Sequence, residues 1–293
     1  MSDSRIGRIG QIKVYIGKNA RIFINEKRWS LFISTLIIAV ILSWIVGDDT
    51  FSVNESTKNG VFAMICGCIW TGLFNSIQLV CREREIIKRE HRTGLHISSY
   101  LIAHFIFEFA LCTVEGIILT YVFDIFRDFP SSGVILSWTG LEFFIAFTLI
   151  IFSADALGLM ISCIVKTEKA AMTVMPFVLI IQLVMADLMF PLPDDAVFLR
   201  EATISKWGLS AICSSADLNE IPTVDTLEKL EEAAVSDESI SSWKDIGITQ
   251  EYEMEYDASV QHVAQSWLVL ILFSAAYGVV GTLFLKLIDK DKR

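Results

Sequence analysis

The sequence predicts an all-α protein that crosses a membrane several times. Three observations carry that expectation. The 293 residues are 53 % hydrophobic, with a mean hydropathy of +0.54, more apolar than a soluble domain. The apolar residues gather into runs of about 18 or more, enough to cross roughly 30 Å of hydrocarbon. Basic residues cluster at alternate ends of those runs, as the positive-inside rule requires. The expected architecture is six transmembrane helices with an N-terminal interfacial helix, a charged cytoplasmic helix between the second and third spans, and an external loop region between the fifth and sixth.

Residues 1–28 carry seven basic residues and two acids, with Ile9, Ile12, Ile16, Ala20 and Phe23 at helical spacing and Lys13, Lys18, Arg21 and Lys27 off that stripe. This is the pattern of an amphipathic helix lying in the cytoplasmic interface. Spans one to five fall within residues 29–191. The first is 29–46, with Trp29 and Trp44 as interfacial anchors, and the second is 61–81, where Gly67, Gly72 and Ser76 let another helix come close.

Residues 82–96 hold Arg82, Arg84, Lys88, Arg89 and Arg92 and belong on the cytoplasmic side. Glu85 precedes Lys88 and Arg89 at helical spacing, Ile86 and Ile87 form a narrow apolar edge, and Gly94 stops the helix. The segment reads either as a helix displayed for a soluble partner or as a solvated loop that sets topology.

Span three, 98–123, contains His104, Glu108 and Glu115. A carboxylate deep in a span costs about 2.5–3.5 kcal/mol on insertion scales, so each must face protein, a cavity or water. The spacing of four suggests a direct His104–Glu108 pair, and Glu108 and Glu115 share a face. The cluster reads as an inter-helix clasp, or as a pathway or proton site. Span four, 134–165, brings Glu142 near its outer end and a deeper Asp155; span five, 170–190, brings Pro176, Gln182 and Asp187.

The hydrophilic region 192–262 has sixteen acids against four basic residues and accounts for more than the whole net charge of −10. Its first part, residues 196–212, keeps helical apolar spacing and is expected on, or re-entering, the outer membrane surface. The acidic 214–257 part reads as a small helical lid or a partly disordered stretch. Cys213 is either an intersubunit disulfide or a buried free thiol. Residues 263–293 form span six and a basic tail ending in Lys290, Lys292 and Arg293. The other cysteines lie in or beside spans and make no disulfide framework. No set of ligands for a metal or a cofactor converges, and no feature points to nucleic acid.

Three stretches resemble a known family. EREIIKREHRTGLHISSYLIAHFIFE (83–108) is similar to the charged helix and third span of ABC-2 type permeases of the G-subfamily, the White-type branch, with Arg89, Glu90, Gly94, Ser98, Ser99, Tyr100 and Glu108 matching. GLMISCIVKTEKAAMTVMPFVLIIQLVMADLMFPL (158–192) resembles that family's fourth-to-fifth span passage, and ATISKWGLSAI (202–212) its re-entrant external helices. The acidic loop after them departs from the pattern.

The resemblance implies a permease that pairs with a second copy or a homologous permease, in the plasma membrane with both termini cytoplasmic. It would dock an ABC ATPase through a coupling helix at 82–96, with Glu85, Lys88, Arg89, Glu90 and Arg92 as contacts. No G-x-x-x-x-G-K-[ST] loop is present, so ATP and Mg belong on a partner ATPase, whether a separate chain or a fused domain. The competing expectation is an ion- or proton-coupled transporter using Glu108, Glu115 and Asp155.

Overall fold

The computed structural model describes residues 7–186, 188, 197–236 and 250–287. Asp187, the end of the expected fifth span, part of the acidic loop and the last basic residues lie outside them.

The amphipathic segment forms α1 (Arg8–Asn25). It bends by 70° into α2 (Ser30–Ile45), at a turn where Lys27 takes a left-handed φ of 54°. α3 (Asn54–Ser76) is followed after a two-residue break by α4 (Leu79–Arg92), the charged helix. Gly94, at φ 110°, ends that passage as its position suggests. α5 (Ile97–Phe126) and α6 (Thr139–Ile164) are the two long helices that follow. α7 (Glu168–Val184) starts at Thr167, whose side chain accepts from the Ala170 amide. The short α8 (Val197–Arg200), then α9 (Ile204–Ser215) and α10 (Val224–Ser236), come from the hydrophilic region, and α11 (Val260–Leu285) completes the bundle. No strand occurs among the described residues.

Four helical stretches are long and apolar enough to cross a membrane: Asn54–Arg92, Ile97–Phe126, Thr139–Ile164 and Val260–Leu285. The bent α1–α2 pair raises this to five if it counts as one span. The expected six are not all reached, because α2 has 16 residues and α7 has 17, at the lower limit for a span.

The packing is that of a membrane bundle, with small and polar residues inward and aliphatics outward. On α2 the buried residues are Thr35, Ala39 and Ser43, spaced by four, while Ile37, Ile41 and Ile45 are exposed. The α3–α6 crossing is the tightest. A Cβ on Gly72 would lie 2.2 Å from the Ile151 carbonyl oxygen, and one on Gly158 2.5 Å from Ser76 Oγ. Ser76 donates to the Asp155 carbonyl at 2.6 Å. Gly67 faces Leu42 of α2 instead, so the small residues of the second span serve two neighbours.

α9 is not a surface element. Ile204, Trp207, Leu209, Ala211 and Ile212 are buried in the core, against α3, α6 and α11. A helix buried on all sides needs partners for its end. Gln182 supplies them, accepting from the Ile204 amide at 2.9 Å while its own carbonyl takes the Ser205 hydroxyl. Glu142, expected in a hydrated position, is fully buried. It folds the preceding loop back by accepting from the amides of Ile135 and Leu136, which is why α6 begins at Thr139 rather than at 134.

These contacts give a sharp contrast. Gly72→Leu should abolish stable folding in membranes, because the Ile151 backbone cannot retreat. Gly17→Ala, where a Cβ meets nothing within 4 Å, should leave the melting temperature unchanged or raise it, by up to about 1 kcal/mol of helix propensity. Thermal melting of detergent-solubilised protein checks both.

Candidate functional site

The charged helix is built with two faces. Val80, Ile87 and Leu95 are buried in a small apolar cluster with Ile97, Tyr100, Leu159 and Leu285. Arg82, Glu85, Ile86, Arg89 and Arg92 are exposed, and their spacing of three and four puts them on one stripe. Ile86 and Ile87, expected as one apolar edge, therefore divide: Ile87 anchors the helix and Ile86 is displayed. Lys88 is half-buried.

The buried side of α4 is held by its neighbours. The Arg84 guanidinium donates to the carbonyls of Cys163 and Val165, both at 3.0 Å, closing the end of α6. Ser162 Oγ accepts from the amides of Val80 and Cys81 at 3.0 and 3.1 Å, satisfying groups left over at the start of a helix.

α1 completes the clamp. Gln11 bridges the Gly94 carbonyl and the His96 amide. Tyr15 donates to Glu90 at 2.6 Å, Lys18 pairs with Glu83 at 3.0 Å, and Glu26 takes both ends of the Arg82 guanidinium at 3.1 Å. Residues 11, 15, 18 and 26 share one face of α1, so its polar stripe points into the protein. Burial and the Glu90 carboxylate push the Tyr15 phenol well above its ordinary pKa, so it stays a donor. Glu90, expected as a docking contact, is turned toward α1.

A second polar chain starts where α1 ends. Arg28 lies 3.5 Å from Glu108 and donates to the Asn75 carbonyl at 3.1 Å. The Asn75 amide donates to Glu115 at 2.7 Å, and Thr35 Oγ1 stands 3.2 Å from the other Glu115 oxygen. Glu108 and Glu115 do share a face, joined by residues of other helices. The expected His104–Glu108 pair does not form. His104 packs edge-on against Tyr100, ring centroids 4.6 Å apart, and Glu108 turns to the full charge of Arg28 instead. Asp155 is buried at the α3–α6 crossing, hydrogen-bonded to none of these groups, and its Oδ1 has no hydrogen-bond partner among the described residues. Phe23 near the end of α1 packs against Phe107, beside Glu108 in the chain, with ring centroids 6.0 Å apart. Cys213 is fully buried and forms no disulfide with another cysteine of this chain among the described residues.

Comparison with known proteins places this geometry. The membrane-domain model of the ABC-2 type transporters matches residues 11–214. The chain belongs to the ABC-2 type transporter family. That stretch runs from Gln11 on the α1 clamp through α9, so it takes in both polar networks. A curated ABC transporter ATP-binding/permease protein of Mycobacterium tuberculosis is 24 % identical over 221 residues, covering 71 % of this chain and 25 % of that protein. The chain thus spans about a quarter of that relative's length.

Sequence reasoning about this ABC-2 membrane domain missed Arg28, Asn75, Tyr15 and Gln11. One signal was available: Gln11, Tyr15, Lys18 and Glu26 recur at helical spacing as a second, polar stripe beside the apolar one. Nothing local marked Asn75.

Removing one partner of a buried ion pair destabilises by about 3–5 kcal/mol, because the other charge stays buried. Arg28→Met should therefore lower the melting temperature strongly. Adding Glu108→Gln should recover most of the loss, and this double-mutant cycle measures the coupling directly.

Proposed function

We propose that this chain is the membrane-spanning permease subunit of an ATP-driven exporter. The observation that carries the reading is α4: an exposed stripe of Glu85, Ile86, Arg89 and Arg92 on a helix whose other side is fixed by α1, α5 and α6. A lever that transmits force must be rigid against the bundle and exposed toward its partner, and α4 combines both properties.

In this reading the stripe docks a cytoplasmic ABC ATPase, which binds ATP and Mg and whose closure pushes on α4. Lys88 and Glu90 act from within, Glu90 by holding α4 to α1. Two permease copies, or this chain and a homologous one, line the substrate pathway. The chain crosses the plasma membrane six times, α2 and α7 being the two short spans, with both termini and α4 cytoplasmic. The Mycobacterium tuberculosis relative, named an ATP-binding/permease protein, supports an ATPase partner, fused or separate.

The intramembrane residues take supporting roles. Glu115 has hydrogen-bond partners in Asn75 and Thr35, Glu108 faces the Arg28 charge, and Gln182 caps α9, which suits a clasp better than an ion-coupling site.

Affinity purification of the tagged chain from its native membrane tests the proposal. An ABC ATPase should copurify. Ile86→Asp with Arg89→Glu should reduce its recovery at least tenfold without changing the permease's own melting temperature. A folded permease that brings no ATPase in mild detergent would overturn the reading.

A further inference from the structure

Beneath α1 lies a cavity of about 60 Å³, lined by Asn19, Glu26 and Arg28 from the α1 side, Arg82 and Glu83 from α4, and His104 from α5. Glu26 and Arg82 at its edge are exposed, whereas Asn19 and His104 are only 6 % and 4 % exposed. The Asn19 Nδ2 and both ring nitrogens of His104 have no hydrogen-bond partner among the described residues. Behind the cavity, Arg28 reaches Glu108 at 3.5 Å, too long for a direct hydrogen bond, and both Glu108 oxygens are likewise unpartnered. Polar groups this deeply buried are satisfied by protein or by ordered water, and a polar contact of this length calls for a bridging water.

The size and the charges select the ligand. One water needs roughly 10–15 Å³ of such space, so several fit, and nothing much larger does. A bare cation would meet Arg28 and Arg82, and a bare anion would meet Glu26 and Glu83. Water can both donate and accept, which suits a wall that mixes amide, imidazole, guanidinium and carboxylate groups.

We propose that this cavity is a water-binding site that bridges the Arg28–Glu108 pair to Asn19 and His104 and joins it to the aqueous phase between Glu26 and Arg82. The pair is then hydrated although it lies within the bundle. Because α4 forms one wall, a shift of α4 changes the water count around Glu108. The site stands on its geometry alone and does not depend on the exporter reading.

Hydroxyl-radical footprinting after rapid mixing with ¹⁸O-labelled water, on the full chain in lipid nanodiscs, tests it. His104 should take up label at least tenfold faster than Phe147, which is fully buried in the dry core. Asn19→Ser should keep that uptake, and Asn19→Leu, which fills the cavity, should lower it toward the Phe147 level. Uptake at His104 equal to that at Phe147 in the wild-type chain would overturn the proposal, whatever the variants do.

Discussion

The architecture at one end of this molecule depends on the polar face of α1 lying against α4. Lys13, Arg21 and Lys27 are exposed, as basic residues beside an apolar stripe ordinarily are. Gln11, Tyr15, Lys18 and Glu26 instead meet Gly94, Glu90, Glu83 and Arg82. Each bond alone is modest, since part-exposed ion pairs are worth about 0.2–1 kcal/mol. Their alignment along two antiparallel helices is what fixes α4, together with the Ser162 and Arg84 bonds to α6. The exposed stripe of α4 is displayed because its other side is so completely used.

The same constraint continues into the bundle. The bend at Lys27 brings Arg28 inward at the point where α1 gives way to α2, and Arg28 joins Glu108 to Asn75 and so to Glu115. The chain of contacts touches α2, α3 and α5 as well as the α1–α2 bend. The clamp on α4 and the buried acids are therefore two ends of one polar system, while the α3–α6 crossing, held by Gly72 and Gly158, provides the rigid ground against which it is set.

Much of this was legible in the sequence, and the division follows physical range. Helix positions came from local hydrophobicity: α2 and α5 fall within a few residues of the runs at 29–46 and 98–123, and α11 begins three residues before the sixth span expected from residue 263. Gly94 as a stop and Gly72 and Ser76 as close-approach residues are likewise local features. What failed needed knowledge of distant neighbours. His104 and Glu108 stand one turn apart, yet Arg28, eighty positions away, outbids the imidazole for the carboxylate. Gln182 is, by sequence, only a polar residue within span five, and its role appears with α9 beside it. The apolar 196–212 stretch carries the signal of a surface helix and of a buried one equally, and only the core around Ile204 and Trp207 decides between them.

The central claim is that α1 holds α4 rigid through its polar face, and hydrogen–deuterium exchange of the α4 amides in lipid nanodiscs tests it most directly. In the wild-type chain, exchange at residues 79–92 should be slow. Lys18→Glu, which sets two carboxylates against each other, should speed it at least tenfold, and adding Glu83→Lys should slow it again. Exchange in α4 that ignores Lys18→Glu would contradict the account.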